Sequence, residues 1–391
     1  MVTDPSPLPL KGMSLVVMPF RREDPDVALT NFGIAASHPS VGQVLAVAGD
    51  DEPTTRIIRE GVAKLGGPIV VIPQERRGRL RSGKGDAVNT GFGFFLEETS
   101  LERVHFYDAD IQTFSADWIT KAEVALDMGY EAVRLYYPRA ATDAMITWMI
   151  TRPGFALLWP ESELPWLEQP LSGELAFTRS AAKTIASDDR VQAQSDWGID
   201  TVLSICTVAH GLSIYELYIS GGKDHALYGS LADIKVMMLE CLAAIQTSQL
   251  GPTPQSVVHR IEYPHSVSSA IAETIGYDIE ATQRLLAGRW SESQETLLVS
   301  HFSPEVISGA LAWRLWPDAT FMDESTWLKT LSILLTQFDL RNDDWCELAF
   351  RLWLGRVLHY TLRIAVRGHS YAMAYLHDMI RRSIEFALAD V

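Results

Sequence analysis

Cysteine is scarce in this 391-residue sequence: Cys206, Cys241 and Cys346 are the only three, far apart and odd in number. That excludes a disulfide framework and any zinc site built on paired cysteines, and reads as reduced, buried thiols in a cytoplasmic protein. Basic charge is also short, with 33 Lys and Arg against 49 Asp and Glu and a formal charge of -16. Such a chain does not grip long nucleic acid by bulk electrostatics, and an anionic ligand must be drawn by a local basic cluster. Long apolar runs are missing too. The richest stretch, 202–219, is broken by His210, Gly211 and Glu216, so no membrane span is expected. The opening MVTDPSPLPLKG has no basic segment followed by an apolar run and reads as a flexible leader over residues 1–12, not a secretory signal.

What is present is enough apolar content, 47%, to bury a core, in a length that exceeds one ordinary domain. The first half alternates. Short apolar runs at 14–20, 43–48, 68–73, 104–107, 131–137 and 213–220 read as strands. Helical spacing falls at 25–37, 52–65, 86–98, 118–128, 143–160 and 196–210, and 168–178 reads as an extended segment or hairpin with Gly173 at a bend. Strands alternating with helices predict an α/β fold, a Rossmann-like, mostly parallel sheet that binds ligands beyond the carboxyl ends of its strands. After Leu231 the pattern turns helical over 231–250, 267–290, 305–316, 324–338 and 345–389, with Pro252, Pro254 and Pro264 marking a linker. The expected organisation is an α/β domain over 13–230 and an all-helical domain over 231–391. Trp313, Trp316, Trp327, Trp345 and Trp353 fall among apolar helical positions and read as core or subunit interface.

The sharpest chemical feature is Val104-His105-Phe106-Tyr107-Asp108-Ala109-Asp110, an apolar strand running into Asp-x-Asp. Side chains at i and i+2 on a strand point the same way, so two carboxylates can project together and hold Mg²⁺ or Mn²⁺. The plainer reading is a solvated strand end or helix cap. A second feature is the loop 74–86, with five basic residues among 76–84 and Gly83 and Gly85 before a helix. Helix-start N–H groups with Lys84 can bind phosphate there, and the glycines would permit close approach. It is neither a Walker loop nor a dinucleotide fingerprint, and a solvated basic loop is the competing reading. His225, in Ser220-Gly221-Gly222-Lys223-Asp224-His225, can turn toward a metal or stand as an exposed imidazole. Asp196 suits a helix cap, Asp200 sits one turn on, and Arg139 is placed to clamp a small carboxylate or to form a surface ion pair.

These segments resemble the mannosylglycerate synthase family, retaining glycosyltransferases with the A-type nucleotide-sugar-binding fold. The resemblance is carried by SLVVMPF, GKGDAVNT, FLEETSLERVHFYDADI, DWITKAE, YPRAATDAMITWMITRPGFALLWP, QPLSGEL, SDWGIDT, SIYELYI and LYGSL. It continues more weakly through FMDE, LWLGRVLHYTL and VRGHSYA, and spans Met13 to about Leu388. It implies transfer of mannose from GDP-mannose to the 2-hydroxyl of D-glycerate with the α configuration kept, giving a compatible solute. It implies Asp108, Asp110 and His225 around a divalent metal, Mn²⁺ or Mg²⁺. Pro19, Phe20, Arg21, Arg22, Glu23, Val47, Gln74, Lys84, Asp108, Ala109, Leu171 and Tyr228 would form the donor site. Arg139 would hold the glycerate carboxylate, with Ala144, Met145, Ile146, Thr147, Trp197 and Met237 completing the acceptor side. Asp200 and Leu171 would be the catalytic positions, at the sugar and the donor respectively. Retention can arise by front-face attack or through a covalent intermediate. The pattern departs at Ala226, where family members can carry an arginine able to reach phosphate.

Other readings are the same fold with GDP-glucose or a UDP-sugar as donor and glycolate or lactate as acceptor, or a non-catalytic sugar-nucleotide-binding protein, which Ala226 favours. A sugar-nucleotide-forming nucleotidyltransferase would need a glycine-rich loop after the first strand, where MPFRREDPD has none. The helical domain suggests a homo-oligomer; no nucleic acid or membrane partner is expected.

Overall fold

A computed structural model describes residues 12–79, 81–224, 230–248, 257–260, 275–312 and 322–389. The leader, Trp313, Trp316 and parts of the expected helices 267–290 and 305–316 lie outside them. The first half runs β1 (Ser14–Phe20), α1 (Pro25–Ala36), β2 (Val41–Ala48), α2 (Glu52–Leu65), β3 (Ile69–Pro73), α3 (Lys84–Glu98), β4 (Arg103–Phe106), α4 (Ala116–Asp127) and β5 (Ala132–Tyr136). Then come α5 (Arg152–Leu158), β6 (Leu175–Thr178), α6 (Arg179–Ala186), α7 (Asp189–Ala193), α8 (Gly198–Ala209) and β7 (Ile214–Tyr218). They are followed by α9 (Leu231–Thr247), β8 (Val258–Arg260), α10 (Ile279–Leu286), α11 (Glu292–His301), α12 (Pro304–Ala312), α13 (Glu324–Gln337), α14 (Asp343–Arg363) and α15 (His369–Ala389).

The strands form one sheet in the order β3-β2-β1-β4-β6-β5-β7-β8, parallel except for β6, which runs antiparallel to β4 and β5. The expected mostly parallel α/β sheet is therefore present. The central strands are continuous apolar runs because helices cover both faces: Leu15, Val16, Val17, Val44, Leu45, Ala46 and Val47 are all fully buried. Helix starts are marked by caps. Asp24 accepts from Asp26 N–H at α1, and Asp51 accepts from Thr54 N–H at α2.

Contacts divide the chain into two units. The first takes the described residues of Met1–Tyr137, Leu171–Ala226 and Gly251–Glu262; the second takes those of Pro138–Pro170, Leu227–Leu250 and Tyr263–Val391. Residues 138–170, which precede the expected boundary at 230, are grouped with the helices of the second unit. In the second unit Trp327 is fully buried and its indole N–H donates to Met149 O at 2.8 Å. Trp345 and Trp353 are also buried. The Arg351 guanidinium donates to the carbonyls of Leu286, Gly288 and Arg289 and lies 3.6 Å from the Trp290 ring centre, satisfying carbonyls at the end of α10.

Several expectations are corrected. The single helix over 345–389 is two helices, α14 and α15, separated at Gly368, whose φ of 101° is left-handed backbone that glycine adopts without a Cβ clash. The helix over 143–160 starts later, because Ala144 has a φ of 55°. It opens as a π-helical turn, Thr147–Thr151, closed by Arg152 N–H to Thr147 O, before α5. The segment 168–178 supplies one strand, β6, and no hairpin. Strand β8, in the stretch read as linker, and helices α6, α7 and α11 were not anticipated. The three cysteines are buried free thiols. Among the described residues, no helix is long and apolar enough to cross a membrane.

Candidate active site

In the first unit the ends of β1 and β4 lie side by side, with Tyr107 N–H donating to Val17 O at 3.1 Å. Strand pairing stops at Phe106, so Asp108 and Asp110 stand in the turn beyond it rather than on the strand. Burial still alternates: Tyr107, Ala109 and Ile111 are buried, while Asp108 and Asp110 are not. One side chain holds the turn, since Asn31 Nδ2 donates to Ala109 O at 3.0 Å and Ile111 O at 2.8 Å. Both carboxylates lie close enough to Glu23 to raise its pKa, although the ladder has ended.

Asp108 is enclosed by cations. Its Oδ1 lies 3.0 Å from Lys84 Nζ and its Oδ2 lies 2.8 Å from Lys223 Nζ. Lys84, on the first turn of α3, also reaches Asp200 Oδ2 at 3.1 Å. Burial alone would lower the Lys84 pKa, but Asp108, Asp200 and Glu174 outweigh it and raise it well above the usual lysine range. Burial likewise opposes ionisation of Asp108, yet the two ammonium groups hold its carboxyl well below the ordinary value. Asp200 shifts the other way despite sharing Lys84. Burial raises it, and Asp108 and Glu174 add repulsion that Lys84 does not cancel. Glu23, after β1, is raised by burial and then by the nearby Asp110 and Asp108 carboxylates, while Arg21 N–H donates to it.

Sequence reasoning missed Lys223 and Glu174. Glu174 is fully buried, with Oε1 at 2.7 Å from Lys223 Nζ and Oε2 accepting from Tyr137 Oη at 2.7 Å and Ser172 Oγ at 3.0 Å. The signal available for Lys223 was a lysine beside two glycines just after a strand; for Glu174, a lone acid within the apolar GELAF run.

The basic loop is built differently from the phosphate cradle expected of it. The Asp86 carboxylate accepts from Arg77 N–H at 2.9 Å and Gly78 N–H at 2.8 Å, and Asp196 accepts from Lys84 N–H at 3.2 Å. Asp86 N–H donates to Ser195 O at 3.0 Å. Gly83 and Gly85 do permit a close approach, but to the chain itself. A Cβ on Gly83 would stand 2.0 Å from Asp196 Oδ1, and one on Gly85 would stand 2.7 Å from the Ser195 carbonyl carbon. Asp196 thus ties the loop to the start of α8 through Lys84 N–H and an ion pair with Arg81, a larger role than the cap expected.

Most of the remaining expected donor residues lie in or just after β1, β2 and β3. Pro19 and Phe20 end β1, and Arg21 and Arg22 follow it exposed. Val47 is fully buried in β2, paired with Pro19 and Ile72, and Ala109 is buried too, so any ligand would meet them through backbone. Gln74 follows β3, and its side chain donates to Ser82 Oγ. Leu171 and Trp197 are half-buried. His225, Ala226 and Tyr228 lie outside the described residues.

In the second unit Arg139 Nη1 lies 2.8 Å from Asp143 Oδ2, and Asp143 Oδ1 accepts from Ala144 N–H at 2.6 Å. The guanidinium is thereby held beside the left-handed Ala144 and the π-helical turn, a type of irregularity that is costly and concentrates at functional sites. Met145, Ile146, Thr147 and Met237 are buried within this unit.

Asp108, which draws two ammonium groups, and Asp110 offer hard oxygens of the kind a divalent cation takes, and both carboxylates act on the nearby Glu23. Among the described residues, no group of three or more His, Cys, Asp or Glu is arranged to hold a metal by itself.

Comparison with known proteins accounts for most of the chain. Residues 14–247 match the family model "Mannosylglycerate synthase, GT domain", and residues 271–380 match "Mannosylglycerate synthase C-terminal domain". The mannosylglycerate synthase of Rhodothermus marinus is 50% identical over 374 residues, covering 95% of this chain and 94% of that protein. That of Selaginella moellendorffii is 44% identical over 374 residues, covering 94% and 89%. A crystal structure of glucosyl-3-phosphoglycerate synthase from Mycobacterium tuberculosis, in complex with Mn²⁺, UDP and phosphoglyceric acid, aligns with a TM-score of 0.49 at 20% identity, covering 61% of this chain and 80% of that one. With both family models matched in order and half the residues shared over nearly the full length of a relative, this chain belongs to the mannosylglycerate synthase family of glycosyltransferases.

Proposed function

We propose that this protein is a metal-dependent, retaining glycosyltransferase that moves α-mannose from GDP-mannose to the 2-hydroxyl of D-glycerate, giving mannosylglycerate in the cytoplasm. The observation that carries this reading is the 50% identity to a mannosylglycerate synthase over 95% of the chain. The chemistry of the charged cluster supports it. Breaking the bond between the anomeric carbon and the diphosphate builds negative charge on the leaving group. A divalent cation held by Asp108, Asp110 and His225 would neutralise that charge. Lys84 adds a fixed ammonium, kept protonated by its carboxylate neighbours, at no reorganisation cost during the reaction. The buried Asp200 carboxylate, oriented by Lys84, contacts the transferring sugar, and Leu171 packs against the donor. Arg139, steadied by Asp143, pairs with the glycerate carboxylate and so orients the attacking hydroxyl, a proximity contribution. The hydroxyl proton leaves with the departing phosphate or with a base on the enzyme.

The test is incubation with GDP-mannose, D-glycerate and Mn²⁺, with GDP-glucose, UDP-glucose, glycolate and lactate run in parallel. Metal-dependent formation of mannosylglycerate is expected. Donor binding with no turnover on any acceptor would instead identify a sugar-nucleotide-binding protein. Asp110→Ala should abolish the Mn²⁺-dependent activity while thermal unfolding stays close to that of the parent; full activity in this variant would remove the metal assignment.

A further inference from the structure

Lys223 has no part in the reading above, yet its ammonium is among the most enclosed charges of the first unit, its side chain only 8% exposed. The backbone that carries it is pinned. Asp224 N–H donates to Thr113 Oγ1 at 3.0 Å, Gln112 N–H donates to Asp224 O at 2.7 Å, and Thr113 Oγ1 donates to Gly222 O at 3.2 Å. This ties the loop to the residues that directly follow Asp110, so the lysine stem is anchored beside the Asp-x-Asp turn and its ammonium is delivered to Asp108 Oδ2. The other oxygen of Asp108 already faces Lys84. Both oxygens of the first aspartate are thus engaged by cations of the chain itself.

A divalent ion reaching this carboxylate meets two positive charges within a few ångströms, where like charges in a partly desolvated site repel strongly. Glu174 makes an exchange feasible. Buried, and bonded by Tyr137 and Ser172, it keeps a contact of 2.7 Å to the Lys223 ammonium that does not depend on Asp108. The ammonium can therefore give up Asp108 without being left buried and unpaired, the outcome that makes breaking such pairs expensive.

We propose that Lys223 is a positioning residue that acts through Asp108 as a built-in competitor of the divalent cation, orienting the carboxylate before metal arrives and weakening the hold on metal once it is bound. The inference rests on the reading of Asp108 and Asp110 as metal-binding carboxylates. It is tested by titrating the full chain with Mn²⁺ and following free Mn²⁺ by electron paramagnetic resonance, in the parent and in K223M, K223R, D110N, E174Q and the double variant K223M/E174Q. The double variant removes the carboxylate that K223M leaves buried without its ammonium, so it serves if K223M folds poorly.

Loss of one positive charge at this range should tighten Mn²⁺ binding about five-fold or more in K223M against the parent, and in the double variant against E174Q. K223R, which keeps the charge, should stay within about two-fold of the parent on the same grounds. A loss of side-chain order alone would weaken metal binding, so the sign separates competition from a merely structural role. If the parent binds Mn²⁺ through Asp110 but K223M binds it no tighter than the parent and the double variant no tighter than E174Q, the inference alone is overturned. If D110N binds as the parent does, or if no variant binds Mn²⁺, the metal reading falls and the inference with it.

Discussion

Gly173 lets the Lys84 ammonium lie where it does. A Cβ there would stand 2.3 Å from Lys84 Nζ and 3.1 Å from Asp108 Oδ1. The obstructing atom is the end of a flexible side chain, so the fold can accommodate alanine while the ammonium cannot keep its place. Gly173→Ala should therefore change stability by less than about 1 kcal/mol. It should lower kcat about ten-fold or more, since a small misplacement of a positioning group is costly. Initial rates read beside a urea unfolding curve check both halves, and a normal kcat would show that the ammonium position is immaterial. In the sequence Gly173 was visible only as a bend. Its purpose depends on a lysine 89 positions earlier, 173 − 84, which no local pattern connects to it.

Helix α3 shows how an element can look like one device and be another. Five basic residues and two glycines ahead of a helix suggested a phosphate cradle, but at the helix start Lys84 N–H donates to Asp196 and Asp86 N–H to Ser195 O, while the Asp86 carboxylate takes the loop N–H groups of Arg77 and Gly78. The glycines make room for residues 194–196. A Cβ on Gly85 would meet only backbone, with Ser195 C at 2.7 Å and Asp196 N and Gln194 O at 2.8 Å, and backbone cannot swing aside. Gly85→Ala is expected to destabilise the protein by about 1–3 kcal/mol, as overpacking does. The urea midpoint should fall with an unchanged m-value; a midpoint like the parent's would mean that α3 and the 194–196 segment have slack. Elements whose signal is a local period, such as α1, α2 and β1, were legible to within a residue or so. The break between α14 and α15 rests on the left-handed backbone of one glycine, Gly368, and was overlooked in an otherwise continuous helical pattern.

For the whole molecule, one contribution to acid stability comes from a buried network apart from the charged cluster. Glu123 accepts from His105 Nε2 at 2.8 Å and from Ser14 and Arg103, joining β4, α4 and the start of β1. Burial opposes its ionisation, but the bonds from His105, Ser14 and Arg103 hold its pKa down to about 2, against 4.5 ordinarily. The folded state then binds fewer protons than the unfolded chain. The stability this carboxylate contributes is complete above about pH 4.5 and is lost as pH falls toward about 2. A shift of this size corresponds to about 3 kcal/mol. Glu123→Gln should lower stability at neutral pH and flatten the acid limb of a stability-against-pH curve between those values. An acid limb as steep as the parent's would place the titrating group elsewhere.

Read along the chain, the residues determine the alternation of strands and helices, the change to helices after residue 230 and the Asp-x-Asp at a strand end, because each is a local period or a contiguous run. The segments resembling mannosylglycerate synthases also survive in one dimension, because a family pattern is kept as contiguous residues. Only the folded chain decides that Lys84, Asp108, Glu174, Asp200 and Lys223 form one cluster, since they come from five separate segments joined by the sheet. It alone decides which N–H groups are already taken. Hydrogen bonds and ion pairs between distant residues are set by three-dimensional proximity, and proximity is what a linear pattern does not encode.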